Sequence, residues 1–169
     1  LLISVYIDDL IILARSIRQF IAHTQLAVDT LHYLGFSVHP EKCKLVPLRS
    51  QEFLGTQVNS KKMQFRVPRE KLRSVRREIF SAFEKNDRHL LTIWHLASLL
   101  GKLNALRGAV ISAQLHLWPF HHLMKDALDR CRGRWVDKVS LDQPVKEEML
   151  WWANEMKDWS GKSIIPVRS

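Results

Sequence analysis

Little in this chain would hold a small secreted fold together. It has two cysteines in 169 residues, Cys43 and Cys131. That is too few for a disulfide framework, and the pair lacks zinc-site spacing. Glycine and proline number six each, which excludes collagen-like and linker-dominated chains. No apolar run reaches the ~18 residues that a membrane-spanning helix needs. The most apolar stretch, Leu1 to Ala14, carries Asp8 and Asp9 at its middle, where a bilayer centre would resist them. There are no repeats and no low-complexity segments. The chain opens on Leu1 inside that apolar run, with no Met and no basic leader. It therefore reads as a piece of a longer protein rather than as a signal peptide.

What is present is globular in kind. Hydrophobic residues make up 46% and charged residues 25%, and a chain of this length makes one domain or two small lobes. The formal net charge of +9 is unevenly spread. Residues 1–60 hold five Lys/Arg and five Asp/Glu. Residues 61–134 hold sixteen and six, and residues 135–169 hold five and six. The middle segment thus carries all the excess. Solvated helix faces can be basic without purpose, but an excess confined to one segment is the electrostatic footprint of a polyanion, most often nucleic acid.

Two apolar, β-branched runs flank Asp8-Asp9 and predict a β-hairpin, Leu1–Ile7 with Leu10–Ala14. Both faces are apolar, which predicts a covered sheet. Ser16 should cap a helix that ends at Gly35. Short strands are expected at Phe36–Val38, Lys44–Pro47, Glu52–Val58 and Met63–Val67. Beyond Pro68 the periodicity turns helical. One helix should bury Leu72, Val75, Ile79 and Phe83, and the next, capped by Thr92, should bury Leu96, Leu99, Leu100, Leu103 and Leu106. Pro119 should separate a third helix from a fourth, and Pro144 should open a last one containing Trp151, Trp152 and Trp159. The expected class is α+β: an antiparallel sheet first, helices afterwards.

Two adjacent carboxylates at the apex of an apolar hairpin ask for an explanation. One Asp suits a turn, but two side by side repel unless a cation sits between them. Hard divalent ions such as Mg²⁺ or Mn²⁺ take such oxygen ligands. Tyr6-Ile7-Asp8-Asp9, within VYIDDLIILA, resembles the YxDD box of reverse transcriptases. In the same order follow LGFSVHPEKC (34–43), similar to the motif whose lysine lies near the incoming nucleotide, and EFLGTQV (52–58), similar to the primer grip. TIWHLASLLGKLN (92–104) resembles the retroviral thumb helix. LHLWPFHHL (115–123) and the Trp-rich stretch from Met149 look most like DIRS-type retrotransposons or pararetroviral polyproteins.

The resemblance implies the carboxy-terminal palm (1–67), a helical thumb (68–134) and the start of a connection (135–169) toward a ribonuclease H domain. It implies two-metal, template-directed DNA synthesis from dNTPs, with RNA or DNA template and a DNA primer as partners, inside a cell and off the membrane. Asp8 and Asp9 would be metal ligands for Mg²⁺ or Mn²⁺, with Tyr6 and Ile7 beside the primer end. Lys42 would sit near the departing pyrophosphate, and Phe53, Leu54 and Gly55 would form the grip. The fingers and a third palm carboxylate would come from other sequence. Ala97, Gly101 and Ala105 recur at i, i+4 and i+8 and strip one helix face of bulk, with Lys102 and Arg107 at hand for phosphate. Alternatives stand beside these: Tyr6 as a core aromatic, Lys42 as a solvated lysine, and the small face as a helix-packing surface. For the whole chain, the alternatives are a non-catalytic nucleic-acid-binding relic and a helical interaction module.

Overall fold

The computed structural model describes residues 2–164 as a mixed α+β chain that packs as two units, Leu1–Leu54 and Gly55–Ser169.

The first unit opens with antiparallel strands β1 (Leu2–Tyr6) and β2 (Asp9–Leu13), in the register Leu2↔Leu13 through Tyr6↔Asp9. The two-residue turn is therefore Ile7-Asp8, one residue earlier than the sequence suggests, and Asp9 is the first residue of β2. Helix α1 (Ile17–Tyr33) follows and lies beside β2. Ser16 caps it from an extended backbone, its hydroxyl accepting from the Gln19 amide at 3.2 Å. Gly35, at φ 85, ends it: its N–H donates to the His32 carbonyl and the Phe36 N–H donates to the Leu31 carbonyl. These are the paired bonds of a Schellman cap, which needs a left-handed residue at that point. A single 3₁₀ turn, Pro40–Lys42, precedes β3 (Ser50–Phe53).

Two expectations fail in this unit. Phe36–Val38 and Lys44–Pro47 form no strands. Phe36 and Val46 stay exposed at 62% and 71%, so neither piece gains the burial that would offset ordering it. Nor is the hairpin covered: Leu2, Val5 and Tyr6 are all exposed, and no described residue from 2 to 54 is buried. A two-stranded ribbon with one helix at its side leaves most of its apolar surface in water.

The second unit holds the core. Strands β4 (Thr56–Asn59), β5 (Gln64–Arg66) and β6 (Lys162–Ser163) lie in that order, with β5 antiparallel to both neighbours. Helices α2 (Arg69–Asp87), α3 (Ile93–Ala105), α4 (Ala113–Arg130) and α5 (Gln143–Asn154) close a ring, α2 against α3 and α5, and α4 against α3 and α5. A short α6 (Met156–Trp159) follows. Leu96, Leu99, Leu100, Leu103 and Leu106 are all buried, as their spacing predicts. So are Val75, Ile79, Leu117, Phe120, Val145, Met149 and Trp152. Each large side chain of this kind contributes roughly 1.5–3 kcal/mol when fully buried.

One helix replaces two around Pro119, which lies inside α4. Proline there removes the N–H that would reach the Leu115 carbonyl and costs about 3 kcal/mol in an isolated helix. Leu117, Phe120, Leu123 and Ala127 recur on the buried side of the same helix and offset that cost by packing.

Candidate nucleic-acid interface

In the first unit the hairpin tip is exposed throughout, from Tyr6 to Asp9. Tyr6 and Asp9 sit directly opposite each other, so their side chains share one face of the ribbon. Ile7 has a φ of 52, the left-handed region that a β-branched side chain rarely enters. That turn puts Asp8 at the apex. Neither carboxylate forms an ion pair among the described residues, and Lys42, on the exposed 3₁₀ turn, pairs with neither of them. Tyr6 is 58% exposed, which does not fit the core-aromatic alternative in this chain.

The donor set decides what the tip can hold. Oxygen ligands suit Mg²⁺ or Mn²⁺, but such ions take about six of them. Among the described residues no group of three His, Cys, Asp or Glu is placed to share an ion. Asp8 and Asp9 by themselves are a partial set for such an ion.

Phe53 ends β3 half-buried, and Leu54 follows at φ 49 with its side chain exposed. Gly55 opens the second unit at φ 70, and the Lys71 amine lies against it where a Cβ would stand. Both turn residues being left-handed is the two-residue geometry that matches strand twist.

The basic excess of the second unit concentrates on α2. Arg69, Arg73 and Arg77 recur at i, i+4 and i+8, are exposed, and have no partner among the described residues. Arg76 donates to the Asn154 side chain at 3.3 Å. On α3, Gly101 and Ala105 are exposed and Ala97 is half-buried. A Cβ built on Gly101 meets nothing within 4 Å, so close helix packing does not account for this glycine. Lys102 is not free: its amine donates to both Glu78 oxygens, at 2.6 and 2.7 Å, tying α3 to α2. Nothing in the spacing of Glu78 and Lys102 announces that pair. Arg107 stays exposed beyond the end of α3.

Thr92 caps α3 with a reciprocal box. The His95 amide donates to the Thr92 hydroxyl, and His95 Nδ1 accepts from the Thr92 N–H at 3.3 Å and lies 2.7 Å from Oγ1. Burial first, and the Lys85 charge second, hold the His95 pKa below its ordinary 6.5.

No curated protein and no solved structure matches the chain. No helix among the described residues is long and apolar enough to cross a membrane. A family profile does match, over residues 1–58, which contain the Asp8-Asp9 tip and both strands of its hairpin. That segment, about a third of the chain, is thus similar to the family described as reverse transcriptase (RNA-dependent DNA polymerase).

Proposed function

We propose that this chain is part of a reverse transcriptase that makes DNA on an RNA or DNA template. Residues 1–67 are read as the carboxy-terminal palm, 68–134 as the thumb, and 135–169 as the start of a connection. The observation that carries this is the family match over residues 1–58 enclosing two adjacent aspartates at an exposed hairpin tip. In the complete polymerase Asp8 and Asp9 supply two carboxylates to a divalent-metal site that needs more ligands than these. Tyr6 and Ile7 lie beside the primer end, Phe53 to Gly55 serve as the grip, and Lys42 stands near the triphosphate. The family match does not extend to a DIRS-type or pararetroviral branch.

The thumb role draws on α2 and α3. Three unpaired arginines on one helix face supply phosphate contacts, and Ala97, Gly101 and Ala105 offer a shallow surface against a duplex. The test is binding of a labelled template-primer duplex across a salt series. Each phosphate contact contributes about −0.9 to the log–log slope, so Arg69, Arg73 and Arg77 together predict about −3 or steeper. Arg73→Glu with Arg77→Glu should weaken binding and flatten that slope by about 2. A shallow slope in the unaltered chain would favour a helical interaction module instead.

A further inference from the structure

The end of the second unit remote in sequence from the α2 arginines carries a different surface. The loop between α4 and α5 folds back over the start of α3. The Ile93 N–H donates to the Asp137 carbonyl at 3.0 Å and the Trp94 N–H to the Trp135 carbonyl at 2.9 Å. Thr92 and Lys138 form an isolated antiparallel bridge, and the Val139 N–H reaches the Leu91 carbonyl at 3.0 Å. With His95 capped by Thr92, the first amides of α3 are all occupied, so this helix end offers no bare N–H groups to an anion.

What it does present is two indoles. Trp94 is 59% exposed and Trp135 46%, while Trp152 of the same unit is fully buried. Their backbones are bonded to each other, yet their rings do not stack together; among the described aromatic rings Trp94 meets that of His95, edge-on. The same segments carry four cations: Lys85 and Arg88 precede α3 in sequence, and Arg132 and Lys138 lie in the loop of Trp135, Lys138 bridged to Thr92. None has an ion-pair partner among the described residues. Of the acids on these segments, Asp137 is neutralised by Arg134 at 2.8 Å, while Glu84 and Asp87 form no ion pair among the described residues. Burial first, and the Lys85 charge second, hold the His95 pKa down at this end of the unit.

We infer that Trp94 and Trp135, with Arg88, Arg132 and Lys138, form a binding surface for single-stranded nucleic acid. The inference deepens the proposed function and rests on it for the class of ligand. Exposed aromatic faces on segments that also carry unpaired cations are the chemistry of base stacking combined with backbone neutralisation. A duplex hides its base faces and gives the indoles nothing to stack on. A protein partner would have to desolvate four unpaired cations. A membrane surface would call for indoles along one amphipathic helix, whereas these lie on a helix start and a loop.

The test uses the whole 169-residue chain and two labelled probes: oligothymidylate of about 16 nucleotides, within the site size of such binders, and a blunt template-primer duplex. Trp94→Ala with Trp135→Ala should weaken oligothymidylate binding by ~30-fold or more, since stacking is worth about 1–3 kcal/mol per base and two platforms are lost. Duplex affinity should stay within about twofold, and Phe at both positions should restore most of the loss. Arg73→Glu with Arg77→Glu should do the opposite, weakening duplex binding first. If that second pair leaves the duplex affinity unchanged, the thumb reading fails while this site stands. Unaltered oligothymidylate binding by the alanine pair overturns the inference, and so does an equal loss on both probes. Tryptophan-dependent binding to vesicles of phosphatidylcholine and phosphatidylserine, without oligothymidylate binding, would assign the surface to membranes.

Discussion

His95 ties a local bond to a measurable pH dependence. Its Nδ1 accepts from Thr92 only while that nitrogen carries no proton. Burial and then the Lys85 charge lower its pKa from 6.5, so on acidification the unfolded chain takes up the proton first. The stability tied to this group is therefore complete above pH 6.5 and is lost as the pH falls below that value toward the folded pKa. Urea unfolding at pH 7.5 and 5.5 should show the loss. His95→Gln should remove this component, because glutamine keeps the capping box without titrating. An unchanged pH dependence in that variant would place the sensitivity elsewhere. A second backbone position is as specific. Gly55→Ala forces a Cβ onto a residue at φ 70, worth roughly 1–2 kcal/mol, while the displaced Lys71 amine can swing away. Thermal unfolding should drop by a few degrees, and an unmoved midpoint would show that this turn relaxes freely. Ser16 and Thr92 were legible as caps, because an oxygen placed ahead of a periodic run leaves few alternatives. The tip was legible to within one residue. Asp8 and Asp9 are both turn formers, and only the pairing of Tyr6 with Asp9 decides that Ile7 takes the strained position.

Helix α2 is built against its own stability. Arg69 and Lys71 stand in its first turn, where the helix dipole disfavours cations, and only Glu70 balances them. Arg69, Arg73 and Arg77 then place like charges at i, i+4 and i+8, each pair costing about 0.2–0.5 kcal/mol. Folding does not explain such a pattern, and the proposed thumb role gives it a use in phosphate contact. Arg69→Glu should therefore raise the stability of the helical unit by about 0.3–1 kcal/mol while weakening duplex binding. Opposite signs of the two effects are the diagnostic outcome. If stability falls, or if affinity is unmoved, this helix end is an ordinary solvated face. The buried side of α2 was plain from its spacing, and so were the leucines of α3. Pro119 was misleading for a definable reason. A proline breaks a helix only when packing does not hold both sides, and the burial of Leu117, Phe120 and Leu123 is a tertiary fact that no local rule contains.

At the scale of the whole chain the two units are stabilised very differently. Among the described residues every buried apolar side chain lies between Val67 and Met156, and residues 2–54 bury none. The apolar character of β1 and β2 suggested a covered sheet, because composition reports what a surface needs and not what the chain supplies to meet it. The helical unit, by contrast, has Trp152, Phe120 and Leu103 fully enclosed, with the Trp152 Nε1–H donating to the His116 carbonyl at 3.2 Å. Local opening is cheapest where buried apolar contact is least. Amides of β1, β2 and α1 should then exchange on the order of 100-fold faster than those at the centre of α3, even though all are hydrogen-bonded in their elements. Hydrogen exchange followed by mass spectrometry resolves these segments directly. Leu99→Ala supplies the internal control: removing a buried leucine costs ~2–5 kcal/mol. It should speed exchange across the helices that share its core and leave residues 2–54 at their already fast rate. Protection of β1 and β2 equal to that of α3 in the isolated chain would mean that the hairpin has a source of stability which its exposed Leu2, Val5 and Ile7 do not show.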